Sequence, residues 1–235
     1  MFILTSYYFM KSNFSLCILL VVMLSSCKKT SNIDVTVSTS GKLTYRFLDD
    51  AGKGIPNVNV SLFDIVQIYS GSAILLDTRK TDGNGSVDFG ELNPSTYKIV
   101  PDSPMVNNVK YVIEDYIQVL TGKTGQRDIK VSDYSGTFNV LVEDYSTGLG
   151  LNNIGVLLVP ADEYGNIGDP ASYFTRADAK GITDSKGIFS SKVPSDKSYV
   201  IATYNLKTNT IYNTAYGISL KKGETTTVRM FVYTP

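Results

Sequence analysis

The sequence predicts an all-β protein built from two tandem β-sandwich domains, and three observations carry that expectation. The first is an internal repeat. Residues 50–60 align with 146–156, so that Gly54, Ile55, Asn57, Val58 and Val60 fall on Gly150, Leu151, Asn153, Ile154 and Val156. Thr81-Asp82-Gly83-Asn84-Gly85 then falls on Thr183-Asp184-Ser185-Lys186-Gly187, and Tyr97-Lys98-Ile99 on Tyr199-Val200-Ile201. A period of roughly a hundred residues is the size of a domain, not of a solenoid repeat. The second observation is short apolar/polar alternation broken by turn residues, the mark of half-buried strands. The third is that no amphipathic helical stretch of ordinary length follows Cys27, and strands without helices pack as sheet on sheet.

Residues 14–24 form an unbroken apolar run apart from Ser15, preceded by Lys11 and followed by Ser25-Ser26-Cys27. The run is too short to cross a bilayer, which takes about 20 apolar residues. A positive n-region, a short apolar core and small residues before a cysteine are the parts of a secretory leader. The segment resembles a bacterial lipoprotein signal of the Bacteroidetes type. That resemblance implies that residues 1–26 are a signal peptide and that Cys27 is lipidated, becoming the mature N-terminus and the contact with the bilayer. Residues 1–9 are more apolar than an ordinary n-region, and Met10-Lys11-Ser12-Asn13 reads as the more usual start. No aspartate lies next to Cys27, which favours the outer membrane. Lys28-Lys29 replaces the acidic stretch that marks some surface-exported lipoproteins, and the face of that membrane stays open.

Residues 27–40 read as the lipidated cysteine and a polar tether, and thirteen such residues extend to roughly 40 Å. The first domain spans 41–133. It opens on a strand at 43–47, continues with the alternating Val58-Asn59-Val60-Ser61-Leu62, turns at Asp82-Gly83-Asn84-Gly85 where positive φ is tolerated, and closes on 128–131. The second domain spans 134–235, with an opening strand at 138–142, the weaker turn Asp184-Ser185-Lys186-Gly187 and a closing strand at 227–232. The junction 132–136 is so short that the two sandwiches are expected end to end with little freedom.

The order of aspartate, glycine, a small residue or proline, an aliphatic, alternating valines, then Thr-Asp-x-x-Gly and Tyr-x-Ile resembles the carboxypeptidase regulatory-like family of prealbumin-like, Ig-like sandwiches. The resemblance covers about 41–132 and 135–233. It implies an accessory, non-catalytic module on a secreted or surface protein. Two departures stand out. The second unit has Asp144-Tyr145-Ser146-Thr147-Gly148 in place of Asp-x-x-Gly, and its insert 161–179 differs from 65–78 of the first unit.

Composition removes whole classes of chemistry. The chain has no histidine, and its two cysteines lie at or before position 27. The body therefore lacks the commonest general base, every Ser-His or Cys-His pair, and any thiolate metal site or internal disulfide. Lys and Arg total 22, as do Asp and Glu, and the leader carries only Lys11. No basic field attracts nucleic acid. The loop at Asp82 lacks the carboxylates of a calcium loop. Asp162, Glu163 and Asp169 form a weak candidate metal loop, read more simply as a solvated turn. No cofactor is expected. Related sandwiches in Gram-positive pili carry a Lys-Asn isopeptide bond between first and last strands. Lys42 is near the right place, but 128–131 and 227–233 contain no asparagine.

Tyrosine is plentiful, at 16 residues. Tyr97 and Tyr199 read as core corner residues. Tyr204, Tyr212 and Tyr216 flank one hairpin and are the candidate ligand-binding residues, because aromatic rings stack on sugar faces, although tyrosine also suits strands for its apolar body and wet tip. The sequence thus reads as a membrane-anchored, non-catalytic binding or assembly module for a protein or glycan partner, the alternative being a structural spacer or an adhesin- or pilus-type subunit.

Overall fold

The structure is a computed structural model, and it describes residues 39–65, 73–164 and 171–233. Cys27, Asp169 and the leader lie outside the described residues.

The first sandwich is built around β1 (Gly41–Leu48). Its alternation sends Leu43, Tyr45 and Phe47 into the core and leaves the residues between them nearer water. β1 pairs antiparallel with β4 (Ser86–Leu92) and parallel with β9 (Thr124–Lys130), which places Leu43 opposite Gly125 and Phe47 opposite Ile129. The facing sheet has the order β3 (Ile74–Lys80), β2 (Asn59–Asp64), β5 (Ser95–Pro101), β8 (Asp115–Val119), all antiparallel. Val60, Leu62, Tyr97, Ile99 and Val119 close the core from that side. A small hairpin, β6 (Met105–Val106) and β7 (Val109–Lys110), lies between β5 and β8.

The second sandwich repeats this plan. β10 (Ser135–Asp144) lies between β13 (Ile188–Pro194), antiparallel, and β16 (Thr225–Val232), parallel. β12 (Ala179–Ile182), β11 (Gly155–Pro160), β14 (Ser198–Tyr204) and β15 (Ile211–Ser219) make the facing sheet.

The shared sequence signals do the same work in both copies. Thr81 Oγ1 accepts the Val58 N–H and donates to the Ile55 carbonyl; Thr183 does the same with Ile154 and Leu151. Asp82 Oδ1 accepts the N–H groups of Asn84 and Ser86, and Asp184 those of Lys186 and Ile188. Positive φ in these turns falls on Gly85 (74°) and Gly187 (81°), not on the Asp or Asn. Gly54 and Gly150 press against the same turns: an added Cβ would come within 1.9 Å of the Asn84 carbonyl oxygen and 2.1 Å of the Lys186 one. The missing Asp-x-x-Gly of the second unit is only a longer spacing. Asp144 Oδ1 caps the N–H groups of Ser146 and Thr147 as Asp49 Oδ1 caps those of Ala51 and Lys53.

Two short helices depart from the strand-only reading, α1 (Ala161–Tyr164) and α2 (Ala171–Arg176), both in the second unit's insert. They cover the outer face of its four-stranded sheet. Leu157, Val159, Ala202 and Tyr204 are buried there against Tyr164, Tyr173, Phe174 and Ala177. All six residues of β11 are therefore buried.

Between the sandwiches runs a single 3-10 turn, Val131–Asp133. Tyr134 packs its ring into the first core, while its carbonyl accepts the Ser195 N–H of the second sandwich at 3.0 Å. Ser132 donates its hydroxyl to Asp50, and Ser135 donates back to the Ser132 carbonyl at 2.6 Å.

Candidate functional site

The three hairpin tyrosines do not form one surface. Tyr204, on β14, is 8% exposed and its ring meets Phe174 edge-on at 4.7 Å. Its burial raises the phenol pKa. Gly155 is the residue that admits it, since a Cβ there would lie 2.3 Å from the ring. Tyr212 packs instead against the core between the sheets, and its hydroxyl accepts the Asn205 side-chain N–H at 2.6 Å. Only Tyr216 is well exposed, at 62%. The register of β14 against β15 slips twice, between Tyr199 and Ile201 and between Thr203 and Tyr204, so hairpin neighbours in sequence end on different faces.

Tyr216 meets other rings. Tyr164 of α1 stacks on Tyr173 of α2 at 4.5 Å and 7°, and Tyr216 stands edge-on to Tyr164 at 5.4 Å. The Tyr164 and Tyr216 hydroxyls are 3.3 Å apart. Burial, then the hydroxyls of Tyr216 and Tyr173, raise the Tyr164 pKa, whereas hydrogen bonds with Thr214 and Tyr164 lower that of Tyr216. This ring cluster joins residues 52 apart in sequence, and no hairpin pattern announces it. The available signal was the aromatic content of the insert, with Tyr164, Tyr173 and Phe174 at its two ends.

Asp162 and Glu163 sit on α1, not in an open loop, and Arg176 reaches Glu163 Oε2 at 3.4 Å. Among the described residues no group of three or more metal-ligating side chains converges. The same two carboxylates border a cleft of about 520 Å³ between the sandwiches. Lys110 and Val112 line it from the first sandwich, and Pro160, Arg176, Asp178, Asp196 and Lys197 from the second. Several of its charges are matched: Lys197 lies 3.3 Å from Asp178 within the wall, and Lys221, outside the lining, lies 3.6 Å from Asp196.

Beside it Asp178 Oδ2 accepts the Tyr199 hydroxyl at 2.8 Å, and that hydroxyl also reaches the Pro194 carbonyl, five residues back, at 3.0 Å. Tyr97 makes the equivalent corner bond to the Asn93 carbonyl at 2.8 Å. Burial first, then the Asp178 charge, raises the Tyr199 pKa strongly. Tyr111 of the first sandwich is raised by burial and by Asp50, with an opposing hydrogen bond to Ser135. Burial pushes Tyr134 up to about 12, with the Asp115 charge adding to it. The Lys222 ammonium sits 3.4 Å from the centre of the Tyr134 ring, a cation–π contact across the junction. This region is a buried, hydrogen-bonded seam. The arrangement ties the two sandwiches together through Tyr134, Ser135 and Ser195.

No protein-family model matches the chain, and no curated protein matches it. The resemblance to the carboxypeptidase regulatory-like family therefore rests on the residues quoted for it. Among solved structures, the minor pilin GBS52 of Streptococcus agalactiae is 16% identical with a TM-score of 0.40, covering 83% of this chain and 98% of that one. The TIE protein of Bacillus anthracis is 18% identical at a TM-score of 0.34, with 83% of this chain covering 34% of that protein. The shaft pilin SpaA of Lactobacillus rhamnosus GG is 13% identical at 0.31, over 84% and 99%.

Proposed function

We propose that this chain is a non-catalytic, lipid-anchored structural subunit, a stiff two-sandwich spacer of adhesin or pilus type. Lipidated Cys27 would fix it to the outer membrane, and residues 28–40 would tether the first sandwich. The observation that carries the reading is the junction. β1 and β9 run toward it, ending at Leu48 and Lys130, where Asp50 meets Ser132. β10 and β16 run away from it, from Ser135 and Thr225 to Asp144 and Val232. The start of β1 at Gly41 thus lies at the pole of the first sandwich opposite the junction. The far pole of the second sandwich is held away from it through Tyr134, whose side chain and backbone serve different domains. A module that only captured a ligand on one loop would gain nothing from this coupling. Catalysis is disfavoured by the absence of histidine and of any cysteine after position 27.

The experiment is to insert six Gly-Ser residues after Asp133. If the chain is a load-transmitting spacer, recovery in high-mass membrane assemblies falls on native electrophoresis while each sandwich keeps its melting temperature. Unchanged recovery contradicts the spacer and favours the binding-module reading.

A further inference from the structure

Among the described residues, β3 lies at the outer edge of the first sandwich's four-stranded sheet. Edge strands offer unpaired backbone groups as a template for another strand, and proteins usually blunt them. The corresponding edge of the second sandwich is blunted. β12 has four residues, and Phe189 packs over its Gly181, where a Cβ would lie 2.2 Å from the ring. β3 has seven residues, and its Ile74, Leu75 and Leu76 are 59%, 55% and 47% exposed.

The register decides what can pair there. Phe63 faces Leu75 and Leu62 faces Asp77, so Leu76 is an extra, bulged residue. Regular pairing geometry is confined to Asp77, Thr78, Arg79 and Lys80. The Thr78 N–H points away from β2, since its acceptor is the side-chain carboxylate of Asp77 at 2.8 Å. In an antiparallel pair, opposed residues either both exchange backbone bonds or both do not. Two copies of one strand can therefore pair only about a two-fold axis that passes through a residue. An axis at Asp77 sets carboxylate against carboxylate, and one at Arg79 sets guanidinium against guanidinium. An axis at Thr78 sets Asp77 against Arg79 twice and Thr78 against Thr78, all favourable cross-strand pairs.

We propose that a second copy of this chain adds antiparallel to β3 about Thr78, joining two four-stranded sheets into one of eight strands. The contact is isologous and closes as a dimer. The Asp77 carboxylate gives up the Thr78 N–H to the partner's Thr78 carbonyl and takes the partner's Arg79. Arg79 already donates Nε to Asp77 at 2.7 Å and Nη1 to the Asp88 carbonyl at 2.5 Å, and a guanidinium has five N–H groups. The stem of Lys80 covers the partner's Leu76.

The test is sedimentation of the full chain in density-matched detergent with reductant, over a concentration series. Wild type is expected to show a monomer–dimer equilibrium. Asp77→Arg alone and Arg79→Asp alone each turn two opposite-charge contacts into like-charge ones and should weaken the dimer by about tenfold or more. In a mixture of the two variants, one chain carries arginine at both positions and the other carries aspartate at both. Each cross-strand contact between them is again of opposite charge, so mixing should restore dimerisation, although neither chain regains its internal ion pair. A wild type that stays monomeric overturns the proposal. So does a dimer that neither reversal weakens, or one that mixing does not restore.

Discussion

Tyr204 and Tyr216 lie twelve positions apart on adjacent strands, yet one is core and the other faces water. Truncating Tyr204 to alanine removes a ring packed on Phe174 above Gly155 and should cost about 3–5 kcal/mol. Tyr216→Ala should cost much less, about 0.5–1.5 kcal/mol for its edge-on contact with Tyr164. Urea unfolding of the two variants checks both. The sequence alone could not separate them, because tyrosine suits either face and the register slips sit between them. Tyr97 and Tyr199 were easier to read, since each precedes an aliphatic strand residue in both copies. At acid pH the carboxylates matter. Glu114 is held below its ordinary pKa, first by its hydrogen bond from Lys98 and then by that from Tyr116, and Asp184 by the backbone N–H groups of Ile188 and Lys186. A folded pKa below the unfolded one gives stability that is complete above the ordinary carboxylate range, about pH 4, and lost as pH falls through the folded value. Glu114→Gln should therefore be less stable than wild type at pH 7, with the gap narrowing as pH falls below the ordinary carboxylate range through the folded value, in parallel denaturation curves.

At the scale of one element, β11 shows what the pattern could convey. Its counterpart β2 reads Asn-Val-Ser-Leu-Phe-Asp, polar and apolar in turn as far as Leu62, and has one strongly buried face. β11 reads Gly-Val-Leu-Leu-Val-Pro and is buried on both. A continuous apolar run is the signal of a strand covered on two faces, and here the cover is α1 and α2. The helices themselves were not legible. Four- and six-residue helices are shorter than the window over which helical periodicity is recognised. Leu157 should therefore behave as core although it faces away from the partner sheet. Leu157→Ala and Leu158→Ala are each expected to cost about 2–5 kcal/mol, whereas Ser61→Ala, at the position of the first sandwich equivalent to Leu157, should be nearly neutral. A small effect at Leu157 in chemical denaturation would mean that the helices do not seal that face.

For the whole molecule, the two-sandwich plan was legible because strand alternation, the Thr-Asp turn and the tight glycines recur in both copies and perform matching backbone jobs. The seam was not, because Tyr111, Ser135, Asp178 and Tyr199 are brought together by folding and share no local motif. The sequence placed Tyr134 at the head of the second domain, yet its ring completes the first core. Tyr134→Ala is accordingly expected to lower the stability of the first sandwich by about 3 kcal/mol or more and also to loosen the coupling, because Lys222 loses the ring it rests on. Stiff coupling is the central claim, and backbone 15N relaxation of the 38–235 body tests it most directly. The account predicts one rotational correlation time shared by the amides of 41–130 and 135–232, splitting into two when six Gly-Ser residues follow Asp133. Two distinct correlation times in the unmodified protein would contradict it.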